Sequence, residues 1–222
     1  MSERTSFRVA VVNGGTSDPS TTAMLAGRIG ERLEELSEKS GATVELRTID
    51  LRSISQEIMA ALVTRHQGSG LKDALAALRD ADGLIASTPV YNAGPSGLFS
   101  SFFQVLDSDL LIGTPVVLAG TAGSARHALV VDDQLRGSFA YLRTVTAPTG
   151  VFAAPEDWSD EGLEKRIDRA ASELLTMLRL DLRSSLREES WKSYQHSYGS
   201  AGGTELGIDL DSELMRMATG GS

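Results

Sequence analysis

Ser87-Thr-Pro-Val-Tyr-Asn-Ala-Gly-Pro-Ser-Gly-Leu-Phe-Ser-Ser-Phe-Phe-Gln-Val-Leu-Asp107 is the stretch on which the reading of the fold turns. It begins where an apolar strand, Gly83-Leu-Ile-Ala-Ser-Thr88, stops, and it ends inside a helix with Leu98, Phe102, Val105 and Leu106 at core-facing spacing. In the loop between them Pro89 and Pro95 fix φ, while Gly94 and Gly97 permit turning and close backbone approach. A stiff loop at the carboxyl end of a parallel strand, carrying an aromatic (Tyr91) and an amide (Asn92), is where an open α/β sheet receives a planar ligand. The same residues would also serve as a tight strand-to-helix connection with a surface tyrosine. The flanking chain has to decide.

Upstream, Phe7 to Asn13 reads as a buried strand, Gly14 to Thr22 as a loop, and Ala23, Leu25, Ala26, Ile29, Leu33 and Leu36 as one face of a helix closed by Gly41. Thr43 to Ile49 alternates like a strand near the sheet's edge. A short helix from about Ser53 to Val63, a polar loop from Thr64 to Gly70 and an amphipathic helix from Leu71 to Ala81 lead back to the opening stretch. Downstream, Thr114 to Ala119 is a fourth strand, with Pro115 near its start where a missing N–H matters least. Gly120-Thr-Ala-Gly-Ser-Ala-Arg-His127 is a second glycine-bearing loop, followed by a helix from Ala128 to about Phe139 and a short fifth strand, Arg143 to Ala147. Pro148 to Trp158 reads as irregular, and Asp160 caps a last helix running to about Leu180. Strands alternating with helices predict a parallel sheet covered on both faces by right-handed crossovers.

After Leu180 the chain changes character. Residues 181–222 read as a C-terminal extension, partly flexible, with a Ser/Gly-rich linker at Ser197 to Gly207 and one or two amphipathic turns at Ile208 to Met217.

Composition narrows the function. A 41% hydrophobic and 23% charged make-up is that of a globular chain with a real core. A formal charge of −9 argues against nucleic-acid or anionic-membrane partners, which need clustered basic surface. The absence of cysteine removes disulfides, thiolate metal sites, iron–sulfur clusters and a thiol nucleophile. His66, His127 and His196 stand far apart and in no HxxxH or HxH pattern, so no metal is expected. There is no apolar signal region at the start and no apolar run of about 20 residues, so a soluble, cytoplasmic protein is expected.

The loop after the first strand is the second informative site. A helix N-terminus presents unpaired N–H groups and the positive end of the helix dipole, and can hold a phosphate without a lysine. Thr16, Ser17, Ser20, Thr21 and Thr22 put five hydroxyls in seven residues there, more than capping by Ser20 or Thr21 alone requires. The loop has neither GxGxxG, nor a suitably placed acidic residue after the second strand, nor Gly-Lys-Ser/Thr. A mononucleotide phosphate remains, with a flat heteroaromatic group received by the loops after the third and fourth strands. Other constellations fail. In Gly94-Pro-Ser-Gly97 the second glycine follows Ser96 directly, so it is no nucleophile elbow. His127 with Asp132 and Asp133, spaced five and six apart, does not share a helix face with them, and Asp107 with Asp109 reads as a solvated helix end.

Three motifs now stand together: Gly14-x-x-Ser17-x-x-Ser20-x-Thr22-x-x-Leu25-Ala26, then Ser87 to Asn92 with Ser96-Gly-Leu-Phe-x-x-Phe-Phe-x-Val-Leu-Asp107, then Gly120 to His127. This set resembles the NAD(P)H-dependent FMN reductases of flavodoxin-like fold, most of all the branch that supplies reduced flavin to luciferase-like monooxygenases. The resemblance spans roughly Phe7 to Leu180. It implies a flavodoxin-like, doubly wound, five-stranded parallel sheet of order 2-1-3-4-5 in residues 1–180. It implies an FMN phosphate at Ser17, Ser20, Thr21 and Thr22, with the isoalloxazine against Pro89, Val90, Tyr91 and Asn92 and against Gly120, Thr121, Ala122, Gly123 and Ser124. The family's commoner first loop carries a basic residue among its hydroxyls; Ser17-Asp18-Pro19 stands there in this chain, which favours an exchangeable flavin. Hydride transfer from NADPH or NADH to flavin needs no protein acid or base, so no catalytic side chain is assigned. Arg126 reads either as a contact for the nicotinamide nucleotide's phosphate or as a surface arginine. The resemblance also implies a homodimer or homotetramer and a partner flavin-dependent monooxygenase. A quinone or azo reductase, or a flavodoxin-type electron carrier, are the alternative functions.

Overall fold

A computed structural model describes residues 5–107 and 109–187; the expected linker and amphipathic turns of the extension lie outside the described residues. The strands are β1 (Ser6–Asn13), β2 (Thr43–Asp50), β3 (Gly83–Tyr91), β4 (Gly94–Pro95), β5 (Pro115–Thr121), β6 (Val145–Thr146) and β7 (Val151–Ala153). The helices are α1 (Thr21–Lys39), α2 (Ser55–Thr64), α3 (Ser69–Asp80), α4 (Gly97–Gln104), α5 (Arg136–Tyr141), α6 (Glu161–Arg179) and α7 (Leu182–Arg187).

The sheet runs β2-β1-β3-β5-β6, parallel throughout, with β7 also parallel on β5 and β4 antiparallel on β3. Alternate residues face opposite cores. Ala10, Val12, Leu84, Ala86, Val116 and Leu118 pack under α2 to α5, while Val9, Val11, Ile85, Val117 and Ala119 pack under α1 and α6. The two outer helices show why the apolar stripes read so clearly. Ser20 and Asp160 cap α1 and α6 with side-chain acceptors, and Leu25, Ile29 and Leu33 meet Leu163, Ile167 and Leu174 in one core. Arg32 crosses between the helices to Asp168 at 2.7 Å. Its pKa is raised further above its ordinary value by the bonds to Asp168 and Glu35. Among the described residues no helix is long and apolar enough to cross a membrane.

The five-stranded sheet of order 2-1-3-4-5 needs correcting, because the sheet has seven strands. Its outer lane, expected as one strand from Arg143 to Ala147, is split into β6 and β7, which meet β5 at Val116↔Thr146 and again at Ala119↔Val151. Between them Pro148 has no N–H to give. The Arg136 guanidinium instead takes the free acceptors, donating to Thr146 Oγ1 (3.2 Å), Ala147 O (2.8 Å) and Pro148 O (2.6 Å). Part of the stretch read as irregular, Pro148 to Trp158, is therefore β7.

The other additional strand belongs to the stretch quoted first. β3 does not stop at Thr88 but carries Pro89, Val90 and Tyr91, and it turns back on β4 through Asn92 and Ala93, whose φ values are 49° and 63°. Two consecutive left-handed residues make the type I′ geometry that suits the twist of a hairpin. Likewise β5 extends through Gly120 and Thr121, both read as loop. Helix α4 ends at Gln104, so Val105 and Leu106 lie just beyond it. The helix expected from Ala128 to Phe139 starts later, after a short 3₁₀ turn at Ala125–His127, and is widened at Val131–Leu135 before it continues as α5.

Candidate functional site

The carboxyl ends of β1, β3 and β5 are neighbours in the sheet, so the three loops expected to hold a ligand start side by side. Asn13 closes β1. It is buried, and its Oδ1 accepts the Gly15 N–H at 2.9 Å, the local turn that Asn side chains favour. The chain then folds tightly onto the start of α1: a Cβ on Gly15 would lie 2.1 Å from Ser20 Oγ. Ser20 is the N-cap, its Oγ accepting the Ala23 N–H at 3.1 Å. The first-turn amides of Thr21 and Thr22 have no intrahelical acceptor, as at any helix start. Thr16, Ser17 and Thr21 are exposed.

Thr22 differs. It is 2% exposed, and its Oγ1 lies 2.7 Å from Thr121 Oγ1, joining α1 to the end of β5. Ser87 donates to Thr22 O at 3.3 Å, adding β3 to the same junction.

The middle loop is anchored by Ser96. Its N–H donates to Pro89 O (3.0 Å) and to Thr88 Oγ1 (3.1 Å). Its hydroxyl donates to Gly14 O (3.3 Å) and accepts the Phe99 N–H (3.2 Å), capping α4. Gly14 N–H donates to Ser87 O at 2.8 Å. Pro89 and Val90 are buried in β3, Asn92 is exposed, and Tyr91 is 53% exposed with its hydroxyl 2.9 Å from Thr16 Oγ1. The first and middle loops are thus tied by the Gly14–Ser87, Gly14–Ser96 and Thr16–Tyr91 bonds.

In the third loop Gly120 and Thr121 are buried in β5. Ala122 donates its N–H to Ala153 O at 3.2 Å, so that amide is spent within the sheet edge. Gly123 is exposed, with open space where a side chain would be. Ser124 Oγ accepts the Arg126 N–H at 3.3 Å. The Arg126 side chain is exposed.

Two residues escaped the sequence reading. Ser96 is the N-cap of α4, and the signal for it in the sequence is a serine placed directly before an apolar helical run. Arg52 follows β2, and its guanidinium lies 3.1 Å from Asp18 Oδ2 in the first loop. Nothing in the local sequence pattern links two positions 34 residues apart.

A cavity of about 890 Å³ opens between α2, α4 and α5, walled by Phe99, Phe103, Leu135 and Phe139. It meets the hairpin through Pro95 and includes none of the residues expected to hold a cofactor. The ends of β1, β3 and β5, unlike this cavity, present exposed hydroxyls at a long helix's N-terminus, an exposed Tyr91 and an uncovered Gly123, groups suited to an anion and a planar ring. These residues fit a flavin mononucleotide. Among the described residues no group of three or more His, Cys, Asp or Glu is placed to hold a metal ion.

A family model described as NADPH-dependent FMN reductase matches residues 7–159. The NADH-dependent FMN reductase SfnF of Pseudomonas fluorescens is 37% identical over 187 residues, covering 82% of this chain and 97% of that protein. The crystal structure of an oxidoreductase from Corynebacterium diphtheriae superposes with a TM-score of 0.76 at 41% identity, covering 78% of this chain and 97% of that one. A flavodoxin, WrbA-like protein from Agrobacterium tumefaciens shares the fold at a TM-score of 0.57 and 20% identity, over 79% of this chain and 99% of its own.

Proposed function

The chain belongs to the NADPH-dependent FMN reductase family, and from that premise we propose that it uses NADH or NADPH to reduce FMN held at the carboxyl ends of β1, β3 and β5. One observation carries the reading: bonds between distant segments, Thr16 with Tyr91, Thr22 with Thr121 and Ser96 with Gly14, tie the loop after β1 and the start of α1 to the ends of β3 and β5.

Bound FMN supplies the hydride chemistry; the protein supplies position and electrostatics. Ser17, Ser20 and Thr21 offer hydroxyls to the phosphate, Ser20 using the proton its capping role leaves free. Thr22, with its hydroxyl committed to Thr121, offers its amide. Pro89, Val90, Tyr91 and Asn92 would hold the ring from the end of β3, and Gly120, Thr121, Ala122, Gly123 and Ser124 from the neighbouring end of β5, where the Gly123 and Ser124 amides would be donors to the pyrimidine end. No side chain of the crevice is required to move a proton.

The first loop carries no lysine or arginine to hold the phosphate tightly, which supports a flavin that exchanges with solvent and is handed on to a flavin-dependent monooxygenase. The cavity between α2, α4 and α5, with Leu62 and Tyr141 exposed on its walls, supports a homodimer or homotetramer. We take residues 1–180 as the reductase unit, acting in the cytoplasm, and residues 181–222 as an extension. Arg183 of that extension donates to Leu110 O at 3.2 Å and also to Ala81 O.

The deciding experiment is anaerobic mixing of the purified protein with FMN and, separately, NADH and NADPH. Bleaching of the flavin band with at least one donor is expected, faster than in a protein-free control; no acceleration with either donor refutes the activity. Comparison of free FMN with a quinone as acceptor then separates a flavin-supplying reductase from a quinone reductase.

A further inference from the structure

The first loop is poorly charged for the anion assigned to it. Between Asn13 and Met24 there is no lysine or arginine, and the single ionisable side chain is Asp18. A phosphate monoester carries about −1.5 to −2 charges at neutral pH. The N-terminus of α1 offers roughly half a positive charge, which the Asp18 carboxylate more than cancels. As a segment on its own, the loop offers a nucleotide hydrogen-bond donors but no side-chain cation.

The missing cation stands on the next loop. Arg52 lies against Asp18, with Nη2 to Oδ2 at 3.1 Å. Its backbone is held firmly. Leu51 N–H donates to Asn13 O (3.1 Å), and Arg52 N–H donates to Asp50 Oδ1 (3.2 Å). Ser53 Oγ donates to Asp50 O (2.7 Å) and Asn13 Nδ2 to Asp50 Oδ1 (3.4 Å). These bonds fix the end of β2 to the end of β1 and leave the guanidinium at the end of a long, movable stem. Both partners are open to solvent, Arg52 at 46% and Asp18 at 74% of the side chain. An exposed pair of this kind holds its members only weakly. A phosphate offers a guanidinium more charge and a forked set of acceptors, so exchange of one anion for the other is favourable.

We propose that Arg52 is the residue by which this protein selects a phosphorylated flavin: paired with Asp18 in the free protein, it gives up that carboxylate for the 5′-phosphate of FMN, with Asp18 acting as the competing anion. The proposal rests on the reading that the α1 N-terminus holds the phosphate, and it assigns the selecting charge to a loop outside that segment. It predicts that a net-acidic first loop still discriminates FMN from riboflavin.

The test is titration of FMN and riboflavin fluorescence with the wild type and with Arg52→Gln, Arg52→Lys and Asp18→Asn, each checked for folding by circular dichroism. The wild type is expected to prefer FMN. Arg52→Gln should weaken FMN about tenfold, the loss typical of a charge-assisted contact, and leave riboflavin unchanged. Arg52→Lys should restore part of the preference, and Asp18→Asn should tighten FMN alone. A wild type that binds both flavins equally overturns the placement of the phosphate at α1. A wild type that prefers FMN, together with an Arg52→Gln variant that keeps the full preference, overturns the role of Arg52 and leaves that placement standing. An Asp18→Asn variant with unchanged or weaker FMN binding overturns the exchange.

Discussion

Replacing Thr22 by valine tests whether the hydroxyl cluster of the first loop is one device or two. Thr22 Oγ1 and Thr121 Oγ1 are 2.7 Å apart, and both residues are nearly inaccessible, at 2% and 3% exposure. Valine keeps the branched shape, so α1 loses no packing, but Thr121 Oγ1 is left buried without its partner. A buried polar group stranded in this way costs about 1–3 kcal/mol. Taking about 1.5 kcal/mol, and about 2–4 °C per kcal/mol for a chain of this size, the melting temperature should fall by about 3–6 °C. Thr121→Val should cost a similar amount. The double variant should not cost the sum, because removing both hydroxyls strands neither; about 0.5 kcal/mol in total is expected. Urea unfolding of the four proteins closes the cycle. FMN titration supplies the second readout: with its hydroxyl turned to Thr121, Thr22→Val should bind FMN as the wild type does. Additive losses in the double variant, or a Thr22→Val protein that loses FMN while keeping riboflavin, would refute the division of roles.

Further expectations concern the other ties. Ser96→Ala removes both the α4 cap and the bond to Gly14 O, so a loss of about 2 kcal/mol is expected in urea unfolding; a loss under about 0.5 kcal/mol contradicts the bonding described. Ala93→Gly relieves an alanine at φ 63°. Strain relief of about 1–2 kcal/mol set against about 0.4–1 of unfolded-state entropy should raise stability by about 0.5 kcal/mol, read from the urea midpoint. Tyr91→Ala should weaken FMN binding or slow turnover, and unchanged values of both would remove Tyr91 from the site.

The parts of the fold that could be read from the sequence are those where one face repeats and a cap follows. Helices α1 and α6 carry apolar residues at three- and four-residue steps, and Ser20 and Asp160 begin them where such residues satisfy orphan amides. The β3–β4 hairpin could not be read this way. Pro89, Gly94 and Pro95 are loop formers on any local scale, and only the pairing of Pro89 with Thr121, Tyr91 with Gly94 and Val90 with Pro95 makes them strand. The split outer lane depends on Arg136 reaching the carbonyls of Ala147 and Pro148, a contact that periodicity does not encode. The adjacency of the β1, β3 and β5 ends was legible because alternating strands and helices fix which ends of the strands face the same way. The distribution of work within them was not: the count of hydroxyls cannot distinguish Thr22, which joins α1 to β5, from the exposed Ser17 and Thr21.

The order of the strands then carries an argument about direction. Four strand ends lie side by side, β2-β1-β3-β5, and the two ends of this row differ in character. At β2 and β1 lie Arg52, Asp18, the hydroxyls and the helix N-terminus; at β3 and β5 lie Pro89, Val90, Tyr91 and the glycine-bearing turn. The Gly14–Ser87 bond crosses between β1 and β3, the place where connections leave for opposite faces of the sheet. A ligand with one charged and one planar end, as proposed here, has a single favourable orientation in such a row, phosphate toward β2 and ring toward β5. Charge changes at Arg52 should therefore alter which flavin binds, whereas changes at Tyr91 should alter both FMN and riboflavin alike. Equal loss of the two flavins in Arg52→Gln, or loss of FMN alone in Tyr91→Ala, would reverse that orientation.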